Sequence, residues 1–474
     1  MSAVPSVALF AGDSPPEVRY AIELLAGAIG VRLTPGNAAT SPAGPCLHYG
    51  GALSDTHRAC AFIPRRAGDR LWRDLLGGRL RPGSQGARLP FDVVAATLAL
   101  VTDRDVDAAS IAPDQHGRAR PGDTAHGAAG LATRPIVNLY AAALRAALEA
   151  VGLRGGLPAW PVGRRAAIGL SHDVDRPDKY AVLRAVAEGG PRLWVARPDL
   201  VARFGRDAVA WFRDPERDDF WLFEPVLESE RELGMQSTLL FAAMPSQGAY
   251  GSRHDVHYDI AWPRFQALLA ALASDGVEIG LHASYNAYRS PDRLAAERAR
   301  LSELARVEVR TLRHHYWHLG DRPEMTLRHH ETAGFQFDSS LAFNDDLGFR
   351  RGIALPFRPW DPELGRSLGV LQLPVLAMDG ALFRTGASAQ EAADRLWAAI
   401  EEVREVGGLG VLDWHVRTSY PGNRVFRTWG ECYQITLRRL AAATDIWATD
   451  LGSIGQWWAA REGQLRGQGG VNES

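Results

Sequence analysis

The sequence predicts an α/β protein in which a distorted (β/α)7–8 barrel follows a smaller α/β domain. Three observations support this prediction. From residue 166 onward, short β-like runs alternate with helical patterns, which is typical of a parallel sheet. Seven or eight such units, with strands buried on both faces, favour a barrel over an open sheet. The stretch GGLPAWPVGRR (155–165) carries glycine and proline without periodicity and indicates a domain boundary near residue 160.

The first domain (1–160) is predicted to contain two short strands and three helices. The strand patterns are SVALF and CLHYGG, and the helical patterns are EVRYAIELLAGAIG, FDVVAATLALVT and IVNLYAAALRAALEAVG. Between the last two helices, DAASIAPDQHGRARPGDTAHGAAG is polar and rich in glycine and proline, which predicts a loop. His116 and His126 lie in this stretch and are interpreted as solvated loop residues, not as ligands.

The second domain (161–462) is predicted to hold the barrel. Its strand patterns are AAIGLS, MQSTLLFA, GVEIGLHA, EVRTLR, FQFDSS, GVLQLPV, LGVLDWH and TDIWAT. Its helical patterns are WPRFQALLAALASDG, PDRLAAERARLSELAR, SAQEAADRLWAAIEEVREVG and WGECYQITLRRLAAA. The glycine-rich end, 463–474, is predicted to be a flexible tail.

Composition excludes several classes of function. Of the 474 residues, 46% are hydrophobic and 23% charged, and the formal net charge is -2, so no global field indicates nucleic acid or an anionic membrane as partner. No run of apolar residues is long enough for a transmembrane segment, and the N-terminus shows no secretory signal, which together predict a cytoplasmic protein. Cys46, Cys60 and Cys432 are interpreted as isolated buried thiols, although one pair could form a disulfide.

Polar side chains cluster where four predicted strands end. These ends are GLSHDVD, EIGLHASYNAY, TLRHHYWH and VLDWHVR. In a parallel barrel the carboxyl ends of the strands share one face, where sites are built, so the four ends are expected to converge. A carboxylate with imidazoles suits Zn²⁺ or a similar divalent metal that activates water. Asp173 and Asp175 lie on the same side of their strand, so one could bind metal while the other acts as base.

These motifs resemble the polysaccharide deacetylase superfamily (NodB homology, similar to carbohydrate esterase family 4), in the branch whose first motif reads H-D-V-D. The resemblance covers about residues 166–460 and implies a barrel of NodB type. In SHDVD it assigns Asp173 as the general base and Asp175 as the metal-binding aspartate. The N-terminal part is similar to the uncharacterised α/β domain that often precedes such a barrel.

The later motifs complete the implied site. HASYN matches a pair of histidines four residues apart, with His282 as the first ligand and Asn286 in place of the second. RHHY resembles the motif whose arginine, here Arg313, holds the catalytic aspartate. VLDWH makes His415 the general acid. Tyr316 and Trp414 are predicted to contact the substrate, whereas His172 alternates away from both acids and is predicted to be structural.

Asn286 leaves the third metal ligand open, because an amide oxygen is a poor zinc ligand compared with imidazole. His315 could replace the missing histidine, Asn286 or a water could fill the gap, or the site could have lost its metal. The resemblance implies a metal-dependent hydrolase that removes an N-acetyl group from a carbohydrate, either an N-acetylated sugar or a glycan precursor. The rivals are a hydrolase of C–N bonds in non-sugar amides, an O-deacetylase, and a catalytically silent barrel that binds a glycan or a partner.

Overall fold

The computed structural model describes residues 4–36, 44–50, 60–65, 87–104, 114, 116–179, 218–244, 252, 254–384 and 386–467. Within these residues the fold is α/β, with one small parallel sheet and one large parallel sheet that curls into a barrel. The predicted fold class is therefore confirmed. The first part of the predicted loop 107–130 and the end of the predicted tail lie outside the described residues.

The small sheet has four parallel strands in the order β2-β1-β3-β4. Their bounds are Ser6–Phe10 (β1), Arg32–Pro35 (β2), Cys46–Gly50 (β3) and Ala61–Pro64 (β4). The accompanying helices are Pro16–Ile29 (α1), Val93–Val101 (α2), Ala125–Ala128 (α3) and Ile136–Ala150 (α4). Helix α1 begins with a proline at its first position and ends where Gly30 adopts φ 75°, a left-handed conformation that glycine reaches without strain.

Cys46 lies on β3 and Cys60 directly precedes β4. The two cysteines form a disulfide with a Cα–Cα distance of 4.7 Å. The interpretation of three isolated thiols is therefore wrong for this pair, while Cys432 is a buried free thiol. The sequence could not reveal the pairing, because it depends on the register of β3 against β4.

The large sheet holds nine strands in the described residues, all parallel. They are Ala166–Val174 (β5), Thr238–Phe241 (β6), Glu278–Ala283 (β7), Thr311–His314 (β8), Phe337–Asp338 (β9), Leu371–Gln372 (β12), Val375–Met378 (β13), Leu409–His415 (β14) and Ile446–Thr449 (β15). Strand β12 pairs with β9 and β13 pairs with β14, so the continuous segment 371–378 joins the two edges and closes the barrel. A separate hairpin, Trp360–Asp361 (β10) with Arg366–Ser367 (β11), lies in the connection after β9.

Helices separate most of the barrel strands. They are Phe223–Glu232 (α5), Pro263–Ser274 (α6), Pro291–Ala305 (α7), Pro323–Thr332 (α8), Asp379–Leu382 (α9), Ala389–Glu405 (α10), Arg427–Ala442 (α11) and Leu451–Arg466 (α12). Helix α12 covers the amino-terminal end of the barrel, where a Cβ on Gly169 would come within 2.8 Å of Leu451. Because α12 reaches Arg466, residues 463–466 are helical, and the prediction of a flexible tail is wrong for them.

The two parts of the chain share one apolar core. Residues of β1, α1 and α4 belong to the same buried cluster as residues of β9, β12 and β14. The predicted boundary stretch is itself packed, since Trp160 is buried, lies 5.4 Å from the Trp458 ring and donates to the Gly407 carbonyl. Among the described helices, none combines the length and apolar character that crossing a membrane requires.

Candidate active site

The carboxyl ends of four strands meet at one face of the barrel, as predicted. Nε2 of His282, on β7, lies 3.7 Å from Oδ2 of Asp173, on β5. Nη1 of Arg313, on β8, lies 2.9 Å from Oδ1 of the same aspartate. Nε2 of His415, the last residue of β14, lies 3.6 Å from Oδ2 of Asp175. The parallel strands explain the convergence, because all their carboxyl ends face the same way.

Arg313 is fully buried and bridges two carboxylates. Its Nη1 donates to Oδ1 of Asp173 at 2.9 Å and to Oδ1 of Asp413 at 2.8 Å. Its Nη2 donates to the Ser171 hydroxyl at 2.9 Å, and its Nε donates to the Ser339 carbonyl at 3.0 Å. All three guanidinium nitrogens therefore donate hydrogen bonds, and Arg313 fixes the orientation of the Asp173 carboxylate.

The two carboxylates beside Arg313 differ in charge. Burial, with the added repulsion of Asp173 and against the attraction of Arg313, raises the pKa of Asp413 well above its usual range. Burial would also raise the pKa of Asp173, but the neighbouring His282 and Arg313 outweigh it and lower that pKa. Asp173 is therefore the ionised partner of Arg313, whereas the pKa of Asp413 is shifted toward the protonated form.

His415 is oriented by Asp379, a residue outside the four predicted strand ends. Nδ1 of His415 lies 2.9 Å from Oδ2 of Asp379, and the His415 amide donates to the same oxygen at 3.0 Å. Burial opposes charge on the ring, but Asp379 and Asp175 raise the pKa of His415 to about 10. The imidazole is therefore protonated at neutral pH. The available signal was the end of β13, VLAM followed by Asp379, which is a fifth strand end with an acid.

Asp175 pairs with Arg417, which lies within VLDWHVR but is not among the predicted site residues. Nη1 of Arg417 contacts Oδ1 of Asp175, and the side chains are only 16% and 17% exposed. Arg417 lies in the single turn Val416–Thr418, directly after β14. Burial would raise the pKa of Asp175, but Arg417 and His415 outweigh it and lower that pKa. The predicted metal-binding aspartate is thus ionised and already paired with a cation.

His315 lies beside His282, and Asn286 follows in the turn after β7. The rings of His282 and His315 are 4.7 Å apart, and burial lowers the pKa of both, that of His315 to about 3. His314 points elsewhere, with its Nε2 2.8 Å from Nε2 of His330, as strand alternation predicts. Asn286 begins the turn after β7, and its side chain makes no capping hydrogen bond to that turn.

Asp175, His282 and His315 suit a divalent metal chemically, because metals bind ionised carboxylates and neutral imidazoles. Nδ1 of His282 is buried without a hydrogen-bond partner among the described residues, as a ring nitrogen awaiting a ligand would be. Their spacing is not that of a formed site: in the described ranges no three His, Cys, Asp or Glu side chains are arranged to hold a metal.

His172 faces away from both acids, as predicted for a structural residue. Its Nε2 lies 2.8 Å from Oε1 of Glu230, and its Nδ1 lies 2.9 Å from the Ser419 hydroxyl. Ser419 in turn donates to the His415 carbonyl at 2.8 Å. The side chains of His172, Glu230 and Ser419 are all buried. Their hydrogen bonds connect β5 to the turn after β14, behind the site.

A wall of aromatic rings stands beside the site and includes His116. Its ring lies 4.5 Å from the Tyr316 ring and 5.0 Å from the His254 ring, and its Nδ1 lies 2.9 Å from the Tyr285 hydroxyl. Tyr316 adopts φ 60°, a left-handed conformation that costs free energy in a non-glycine residue. Such a cost at the mouth of a barrel is typical of a residue whose position matters for function.

Three interpretations of individual residues are wrong. His116 is 3% exposed and His126 is fully buried, with Nε2 3.0 Å from the Phe349 carbonyl, so neither is a solvated loop residue. Trp414 is fully buried in the apolar core and lies 5.1 Å from the Tyr433 ring, so it does not line the mouth. Its neighbours Asp413 and His415 face the site, and strand alternation turns Trp414 to the opposite side.

Comparison with known proteins gives structural matches only. No protein-family model and no curated protein matches the chain. A candidate polysaccharide deacetylase from Mycobacterium smegmatis matches at 17% identity and TM-score 0.41, over 67% of this chain and 97% of that one. The peptidoglycan deacetylase PdaC from Bacillus subtilis matches at 10% and 0.31, over 65% and 99%. A family 4 acetyl xylan esterase from Clostridium thermocellum matches at 13% and 0.30, over 61% and 91%.

Proposed function

We propose that the chain is a hydrolase that removes an acyl group, most simply acetyl, from the amine of a carbohydrate. One observation carries the proposal: an ionised aspartate fixed by a buried arginine and a protonated histidine fixed by a second aspartate share one face of the barrel. Amide hydrolysis needs this pair, a base for the attacking water and an acid for the departing amine.

Each group has a definite task. Oδ2 of Asp173, which is not the oxygen bonded to Nη1 of Arg313, takes a proton from the water that attacks the acyl carbonyl. Nε2 of His415 delivers its proton to the leaving amine, while Asp379 retains its bond to Nδ1. Asp379 stabilises the protonated ring before the transfer and holds the same tautomer after it.

A divalent metal, most simply Zn²⁺, would be held by Asp175 and His282, with His315 as the third ligand in preference to Asn286 or water. When bound, such an ion lowers the pKa of water and polarises a carbonyl. The neutral imidazoles and the ionised Asp175 support this assignment. The metal and its ligands remain part of the proposal.

The rings at the mouth support a substrate with a bulky ring. Tyr316, Tyr285, His254 and His116 present aromatic faces with polar edges, which suits the alternating apolar and hydroxyl surfaces of a sugar. The cytoplasmic location stays a prediction, and the Cys46–Cys60 disulfide is more typical of an oxidising compartment.

Release of acetate tests the function and its rivals. The purified chain, with and without added Zn²⁺ and after chelation, is incubated with N-acetylglucosamine oligomers, O-acetylated xylan and a simple acetanilide. We expect acetate from the N-acetylated sugar and its loss on chelation. Acetate from xylan alone would favour O-deacetylation, and from the anilide alone a non-sugar amidase. No release from any substrate, with no metal bound, would favour the silent binding barrel.

A further inference from the structure

Arg417 pairs with Asp175, the carboxylate proposed to bind a metal ion. One carboxylate oxygen of Asp175 contacts Nη1 of Arg417, and the other lies 3.6 Å from Nε2 of His415. One oxygen of the predicted metal ligand therefore already faces a fixed positive charge, that of Arg417. A divalent cation brought to Asp175 would meet the guanidinium at close range, where like charges repel strongly because water is largely excluded.

The position of Arg417 is built into the connection after β14. The Thr418 hydroxyl bonds to Asp379 and to the His415 carbonyl, and Nδ2 of Asn423 donates to the Arg417 carbonyl at 2.9 Å. These bonds anchor the backbone on both sides, whereas the Arg417 side chain is 16% exposed and lies at the open end of the barrel. The guanidinium can therefore leave Asp175 without unfolding the turn that carries it.

We propose that Arg417 competes with a divalent metal ion for Asp175, so that the metal-free site rests on the Asp175–Arg417 pair and metal binds only as this pair opens. The inference rests on the proposed function, because it takes Asp175 as the metal ligand. The competition would also account for the spacing of Asp175, His282 and His315. These side chains are of the types that bind a metal, but among the described residues they are not arranged to hold one while Arg417 pairs with Asp175. Metal binding by the wild-type chain is then weakened by the free energy of that pair.

Calorimetric titration of the full chain with Zn²⁺ tests the competition. In Arg417→Gln, which removes the charge and keeps much of the side-chain volume, we expect affinity to rise about tenfold or more, the effect of about 1.4 kcal/mol. In Arg417→Lys, which keeps a charge but not the fork, we expect a smaller rise. Arg424→Gln is the matched control, since Arg424 is exposed in the same connection, and its affinity should equal that of the wild type.

The outcomes separate this inference from the proposed function. If wild type and Arg417→Gln bind Zn²⁺ equally well, the competition is refuted and the metal site survives. If neither binds, both the competition and the metal in the proposed function are refuted. Weaker binding by Arg417→Gln, in a variant whose far-ultraviolet circular dichroism matches the wild type, would make Arg417 a support of the site and would also overturn the inference.

Discussion

Nδ1 of His415 lies 2.9 Å from Oδ2 of Asp379, and this contact fixes both the tautomer and the charge of the candidate general acid. Asp379 accepts the Nδ1 proton, so Nε2 is the nitrogen that faces Asp175 and the site. The aspartate is itself held by the Thr418 hydroxyl and the His415 amide. The acid and its orienting partner thus form one rigid unit at the end of β14.

Replacing Asp379 by asparagine should shift the alkaline limb of the activity profile. Asp379 helps to raise the pKa of His415 to about 10, so wild-type activity should persist until the pH approaches that value. Without the negative charge the ring loses its proton at lower pH, and we expect the limb to move down by more than one pH unit and the maximal rate to fall about tenfold or more. Steady-state rates from pH 5 to 11 measure this. Asp394→Asn, on the surface of α10, is the control, and an identical limb in both variants would contradict the assignment.

The same contact predicts how stability depends on pH. The pKa of His415 is higher in the folded chain than its ordinary value of 6.5, so the folded state binds the proton more tightly. The stabilisation is complete below pH 6.5 and is lost as the pH rises to about 10. We therefore expect the difference in unfolding free energy between wild type and Asp379→Asn to shrink between pH 6 and pH 10.5 in urea titrations. A difference that grows over this range would contradict the predicted pH dependence of stability.

Removing the guanidinium of Arg313 should destabilise the barrel. Arg313→Ala leaves the Asp173 charge and Asp413 buried without their shared donor, and breaking a buried ion pair costs roughly 3–5 kcal/mol. Urea unfolding measures the loss. Arg310→Ala is the control, because Arg310 precedes the same strand but its side chain is only partly buried, beside Glu308. This variant should change stability by less than about 1 kcal/mol. Equal losses in both variants would show that Arg313 has no special structural role.

The first domain should contribute to substrate binding through His116. His116→Ala removes the ring that packs against Tyr316, and we expect KM to rise several-fold with kcat nearly unchanged, since neither acid nor base is touched. Tyr316→Phe, which keeps the ring, should have a smaller effect than Tyr316→Ala. Steady-state kinetics on the N-acetylated oligosaccharide measure both constants. A fall in kcat at constant KM would indicate that the wall positions the catalytic groups instead.

The sequence was sufficient to predict the strand ends and their convergence. Each end follows an apolar run, and parallel topology brings such ends to one face whatever the details of packing. Alternation along β5 correctly separated His172 from Asp173 and Asp175. The same rule, applied to β14, would have placed Trp414 in the core beside Tyr433. The predicted role of Trp414 followed from its place in the motif VLDWH and not from the side of the strand on which it lies.

Contacts between distant segments could not be predicted. Asp379, Arg417 and His116 reach the site from a short helix, a turn and the first domain. Asp379 follows the strand end VLAM and Arg417 lies within VLDWHVR, but neither stretch reveals the partner of its side chain, and His116 has no local pattern that marks it. Their roles depend on how connections fold over the barrel, which tertiary packing decides. The Cys46–Cys60 pair is a similar case, because it follows from the register of two strands.

Acetate release by Asp173→Asn tests the central claim most directly. The variant keeps the shape of the side chain and its contact with Arg313 but cannot take a proton from water. With an N-acetylated oligosaccharide that the wild type hydrolyses, we expect the rate to fall by about 10²-fold or more, while Zn²⁺ affinity and the far-ultraviolet circular dichroism stay close to those of the wild type. An Asp173→Asn protein that releases acetate at the wild-type rate would contradict the account.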